Sequence, residues 1–167
     1  MPRVAINVSG GQLEKHDFYE RILIILQENG ITGHELEFEL TESILVRNSK
    51  ETVHKLTEFK KLGINISIDD FGTGYSSLQY LKNFPHDKIK IDQSFIRDLT
   101  VDKNSASIVT TIISMAHKLG VRVIAEGVEN AEQVDFLRKH NCDEVQGYFF
   151  SKPVSASQLT EVLANYN

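Results

Sequence analysis

A single cysteine, Cys142, stands in the 167 residues, so an intrachain disulfide and a cysteine-built zinc site are excluded, and the composition suits a reducing, cytoplasmic compartment. Basic charge is also in short supply. Eighteen Lys and Arg face 23 Asp and Glu, for a net charge of −5 and a pI near 5.7. The two signs are interspersed, and without a basic stripe to follow a phosphate backbone a DNA or RNA polymer is not expected as a partner. Long apolar runs are missing too. The most apolar stretch, Ile22 to Leu26, is far too short to span a bilayer, and the N-terminus lacks the charged-then-apolar pattern of a signal peptide. Any membrane tether is expected in another part of the protein. There is no internal repeat and no low-complexity tract, and 41% hydrophobic residues over this length suffice for one domain, residues 1–167, with a real core.

What the chain does contain is an alternation of short β-branched runs with helical patterns, the mark of βαβ units and a parallel sheet. Strands are predicted at Val4 to Ser9, Glu35 to Thr41, Ile64 to Asp69, Lys88 to Asp92, Val121 to Glu126 and, more weakly, Glu144 to Gly147. Helices are predicted at Phe18 to Asn29, Ser49 to Leu62, Ser76 to Lys82, Ser105 to Leu119, Ala131 to His140 and Ala156 to Asn165, with Gly30, Gly63 and Gly120 closing three of them.

Period-two alternation sends successive strand side chains to opposite faces. Val4, Ile6 and Val8 share one face, as do Ile64, Ile66 and Ile68, then Ile89 and Ile91, then Val121 and Val123, and all are expected to pack under helices. The other face is polar: Ala5, Asn7 and Ser9; Glu37 and Glu39; Asn65, Ser67 and Asp69; Lys88, Lys90 and Asp92; Arg122 and Glu126. A doubly wound sheet needs apolar residues on both faces. A closed β/α barrel does not, because its second face lines the interior and collects polar groups at the C-terminal mouth. Eight strands make a complete barrel, so the expected fold is an incomplete TIM-like α/β barrel, about six of eight strands present, open on its N-terminal side.

Asn7, Glu39, Asp69, Lys90, Asp92 and Glu126 all fall at or near strand ends, with Glu42, Asp70 and Glu129 just beyond, so they are expected to converge on one mouth. So many carboxylates cost several kcal/mol per ion to bury, more than one lysine and one arginine offset, and bound cations are the natural remedy. Oxygen ligands suit Mg²⁺, Mn²⁺ or Ca²⁺ rather than zinc, and His16, His34, His54, His86, His117 and His140 all sit away from strand ends. Adjacent Asp69 and Asp70 can address two neighbouring ions, an arrangement suited to phosphoester hydrolysis. Lys90 would orient water or meet phosphate charge, and Glu126 would serve as general base. Glu37 reads instead as a salt-bridge partner, with Arg122 its expected cation. The Gly-x-Gly of Phe71-Gly72-Thr73-Gly74-Tyr75 reads as a mobile active-site loop, since flanking carboxylates repel a bare phosphate.

Asn7-Val8-Ser9 with Gln12-Leu13, Glu39-Leu40-Thr41-Glu42-Ser43, Asp69-Asp70-Phe71-Gly72-Thr73-Gly74-Tyr75-Ser76-Ser77-Leu78, Ile89-Lys90-Ile91-Asp92 and Ala125-Glu126-Gly127-Val128-Glu129 together resemble the EAL-domain family. The resemblance implies a β/α barrel and a bacterial cyclic di-GMP phosphodiesterase that opens the cyclic dinucleotide to linear pGpG with Mg²⁺ or Mn²⁺. It implies that Asn7, Glu39 and Asp69 are metal ligands, Asp70 a ligand of a second ion, Glu42 the residue holding the Gly-rich loop, Lys90 the catalytic lysine and Glu126 the general base or a metal-linked carboxylate. Asp92, Glu129 and Gln146 match further positions around the family's site, and Gln146-Gly147-Tyr148 with Ser151-Lys152-Pro153 complete the pattern. The Glu-Ala-Leu segment that names the family does not occur in this chain and is expected upstream of residue 1. A homodimer and an upstream diguanylate cyclase or sensory domain are compatible with the resemblance. Three readings stand open: a phosphodiesterase, a cyclic di-GMP-binding or regulatory partner without turnover, and a truncated piece of a longer product.

Overall fold

Each β-branched run is followed by a segment long enough to cross back over a sheet, and parallel strands joined by right-handed helical crossovers are the outcome. A computed structural model describes residues 3–46, 50–74 and 78–165. The elements run β1 (Val4–Asn7), α1 (Gly10–Leu13), α2 (Phe18–Asn29), a 3-10 turn (Gly33–Glu35), β2 (Leu36–Thr41), α3 (Ser43–Val46), α4 (Lys50–Lys61), β3 (Asn65–Phe71), α5 (Leu78–Asn83), β4 (Lys88–Ile91), α6 (Gln93–Arg97), α7 (Lys103–Leu119), β5 (Arg122–Glu126), α8 (Ala131–Lys139), β6 (Glu144–Gln146) and α9 (Ala156–Asn165). The expected helix starts at Ser49 and Ser76, and residues Tyr75, Ser76 and Ser77 of the glycine-rich motif, lie outside the described residues.

The six strands pair in parallel and lie side by side in chain order, β1-β2-β3-β4-β5-β6. In a flat sheet, strands about 4.8 Å apart would put β2 and β6 roughly 19 Å from each other. Yet Nζ of Lys88, on β4, lies 3.2 Å from Oε2 of Glu37 on β2 and 2.8 Å from Oε2 of Glu144 on β6. One ammonium reaches both because the sheet curls into a trough, the half-barrel that the alternation predicts.

The convex side carries the core. Phe38, Leu40, Ile66, Ile68, Ile89, Ile91 and Val123 are buried there beneath the helices, each burial favourable by about 1.5–3 kcal/mol. Phe38 stacks edge-on against Phe59 of α4 at 5.1 Å between centroids and meets Phe18 of α2 at 6.2 Å. Because a right-handed crossover lays α2 toward β2, the outer face of β1 is left uncovered. Val4 and Ile6, expected under a helix, are 60% and 41% exposed. Val8, one turn of the pleat further on, is buried as expected.

Candidate active site

Parallel register brings the strand-end residues level. Asn7 pairs with Glu39, Thr41 with Asp69, and Glu126 with Gln146. Lys90 sits at the centre of this ring, 3% exposed, with Nζ 2.7 Å from Oε1 of Glu39, 3.0 Å from Oδ1 of Asp69 and 2.7 Å from Oε1 of Glu126. Three strands therefore present their carboxylates to one lysine from a fourth.

Regular alternation would send Asp69 and Asp70 to opposite faces. Between Ile68 and Phe71, however, β3 advances three residues while its partner β4 advances two, from Ile89 to Ile91. The extra residue is a bulge, and Asp70 adopts a left-handed φ of 54° within it. Its amide donates to Oδ1 of Asp69 at 3.0 Å. Carboxylate oxygens of Asp69, Asp70 and Glu126 consequently lie within 4.8 Å of one another, a spacing that one ion can bridge. The donors are all hard oxygens and their charge exceeds that of Lys90, which fits Mg²⁺, Mn²⁺ or Ca²⁺.

Burial opposes the charge on Lys90 as the largest single influence, but its hydrogen bonds to Glu126, Glu39 and Asp69 together outweigh that and hold the ammonium above the ordinary lysine range. Burial pushes Glu126 up despite Lys90 beside it. Partial desolvation, then the charges of Asp69 and Asp92, push Asp70 up as well. Two of the three clustered carboxyls are thus biased toward holding a proton, the response expected where negative charge is under-compensated.

Glu42, buried just past β2, turns its Oε2 to the glycine-rich loop and accepts from the amides of Gly72 at 2.9 Å and Gly74 at 3.2 Å. Gly72 takes a φ of 102°, and a Cβ there would lie 2.9 Å from the Phe95 ring, so both conformation and space call for glycine. Asp92 caps α6, accepting from the amide of Ser94 at 2.9 Å. With Glu129 and Gln146 it lines a cleft of about 260 Å³ that Asp70 and Glu126 also border. Asn7 is exposed on β1 opposite Glu39; neither belongs to the group of three clustered carboxylates.

Gln93 also lines the cleft and is not among the residues the sequence points to, while Tyr148 lies there within the Gln146-Gly147-Tyr148 motif. Glu37 is an ion-pair residue as expected, but its cations are Lys88 and Arg3 rather than Arg122. Arg122 bonds Glu144 at 2.8 Å instead, because β6 is its immediate neighbour while β2 lies three strands away.

The model of the EAL domain matches residues 1–153. The cyclic di-GMP phosphodiesterase NbdA of Pseudomonas aeruginosa is 42% identical over 98% of this chain and 21% of its own length. The solved PaMucR phosphodiesterase in complex with c-di-GMP superposes with a TM-score of 0.89 at 36% identity, covering 94% of this chain and 64% of that one. A manganese and cy-diGMP complex of BlrP1 from Klebsiella pneumoniae gives a TM-score of 0.81 at 31% identity over 90% of this chain and 39% of that one. The chain spans about a fifth of the length of the curated relatives it matches.

Proposed function

The chain belongs to the EAL-domain family, and we propose that it binds cyclic di-GMP at the mouth of the trough and hydrolyses one phosphodiester to give linear pGpG. The observation that carries this reading is the buried Lys90 shared by Glu39, Asp69 and Glu126 directly beside the clustered Asp69, Asp70 and Glu126. That NbdA is named a cyclic di-GMP phosphodiesterase, and that PaMucR and BlrP1 were solved with the cyclic dinucleotide, support it.

Asp69, Asp70 and Glu126, with Glu39 and Asn7 alongside, would hold Mg²⁺ or Mn²⁺, and a pair of ions is the natural complement of two adjacent aspartates. When bound, such ions lower the pKa of water and offset negative charge on a phosphoryl centre. The chain's own residues do the rest. Lys90 stays charged, fixes the three carboxylates around it and presents a cation to the phosphate. Glu126 takes the proton of the attacking water as the new P–O bond forms. The bond from phosphorus to the ribose 3′ oxygen breaks, and that oxygen takes up a proton from solvent to leave as the hydroxyl. Glu42 fixes the 72–74 loop that follows Asp70 through its two amide bonds. The reading places the reaction in the cytoplasm, and among the described residues no helix is long and apolar enough to cross a membrane.

The test is chromatography of cyclic di-GMP incubated with the purified chain and Mn²⁺, with Glu39→Ala as control. Linear dinucleotide formed by the native chain and lost in the variant supports hydrolysis. Saturable nucleotide binding without product assigns the site to recognition alone, and neither binding nor product overturns the reading.

A further inference from the structure

One pleat below the ring of Lys90 lies a second charged layer on the same strands. Glu37 precedes Glu39 on β2 by two residues, as Lys88 precedes Lys90 on β4 and Glu144 precedes Gln146 on β6, so each pair shares the inner face at about 6.7 Å along the strand. Lys88 and Glu37 are buried, at 6% and 5% exposure. Lys88 bridges Glu37 and Glu144, as described above. Each of these carboxylates has a further cation of its own: Arg3, at 3.7 Å from Glu37, and Arg122, at 2.8 Å from Glu144. The lower layer is thus cation-rich beneath an upper layer in which three carboxylates share one lysine.

We propose that Lys88 is a positioning residue for the site above it. By drawing β2 and β6 toward β4 it sets how far the sheet curls, and so fixes the separation across the trough between Glu39, two residues up β2, and Glu126, which pairs with Gln146 of β6. That separation decides whether one lysine and a shared divalent ion can be held at once. A buried ion pair by itself is weak evidence for a stabilising role, since an apolar residue of similar volume often replaces it at little cost. Lys88→Met leaves Glu37 with Arg3 and Glu144 with Arg122, so no carboxylate is left without a cation. What it removes is the strap between β2 and β6.

The inference rests on the metal-dependent reading of the mouth, and its test separates the two. Carboxyl ¹³C chemical shifts of Glu39 and Glu126 are recorded without metal for the native chain, Lys88→Met, Lys88→Arg and Lys60→Met. Lys60, on α4, makes a more exposed pair with Asp87 and controls for the loss of an ion pair away from the trough. Mn²⁺ affinity by electron paramagnetic resonance, thermal midpoint and turnover follow on the same proteins. Lys88→Met is expected to move both carboxyl resonances, to weaken Mn²⁺ binding about tenfold, as supporting partners of metal ligands do, and to lower kcat with KM little changed. Lys88→Arg recovers most of each change, and Lys60→Met makes none of them. Unmoved carboxyl resonances in Lys88→Met overturn the positioning role, as does a loss in Lys60→Met that matches it at equal thermal midpoint. A native chain that binds no Mn²⁺ sinks the functional reading instead, and the metal-free resonances still decide the role of Lys88.

Discussion

Lys90 is in contact with three of the carboxylates the proposed reaction uses, and its charge lets them crowd around one point. A half-buried group just before β6 shows the opposite response. Cys142 donates its thiol to the carbonyl of Glu144 at 3.2 Å, and burial pushes its pKa up to about 11. Only the thiolate is nucleophilic. At about pH 8, where a free cysteine is partly ionised, iodoacetamide should leave the native chain unmodified by mass spectrometry and alkylate it promptly in urea; equal labelling rates would contradict the assignment. Lys90, Glu39 and Asp69 are legible in the sequence because they share one phase of the strand alternation. Asp70 is expected at the same mouth because it directly follows Asp69 at the strand end; what the sequence does not show is the bulge that keeps it there, since β3 runs on to Phe71 and regular alternation would turn Asp70 to the other face.

At the scale of elements, the short strand β6 is held by an unusually close backbone approach. A Cβ at Gly147 would lie 2.1 Å from the carbonyl oxygen of Val128 and 2.3 Å from its nitrogen. Those same backbone groups bond Phe149 and Gln146, at 3.0 Å each. Gly147→Ala therefore has to push β6 off the turn after β5, and urea unfolding should show a loss on the order of 2–4 kcal/mol. A variant within about 0.5 kcal/mol of the native chain would show that the turn yields freely. The long helices α2, α4, α7 and α9 are readable from apolar spacing, and α7 begins at Lys103 rather than Ser105 because Asp102 caps it, accepting from the amides of Asn104 and Ser105. Helices of four or five residues, such as α1, α3 and α6, are too short for any period to register.

For the molecule as a whole, acid sensitivity is built into the core. His86 is buried, its Nδ1 donates to the carbonyl of Phe84 at 2.8 Å, and its Nε2 has no hydrogen-bond partner among the described residues. Burial lowers its pKa in the folded chain. The unfolded chain therefore takes up this proton first, and stability falls as pH drops below the ordinary histidine value of about 6.5. Thermal melts across that range should show a steeper decline for the native chain than for His86→Gln, whose amide keeps a donor and never ionises; parallel declines would clear His86 of the effect. The half-barrel itself was legible from the polar inner face. The exposure of Val4 and Ile6 was not, because alternation shows which face is apolar but not whether a helix reaches it.

The neighbour-by-neighbour strand order also bears on how this chain reaches its shape. Every strand pairing closes a loop of only about 20 to 35 residues, a low entropic cost, and such local contacts favour fast folding. The sheet can grow from either end or the middle, one βα unit at a time, as the chain leaves the ribosome. The links that bridge non-adjacent strands, from Lys88 to Glu37 and Glu144 and from Lys90 to Glu39, reach across 51 to 56 residues, so closing the curl of the trough costs more chain entropy than pairing any two neighbouring strands.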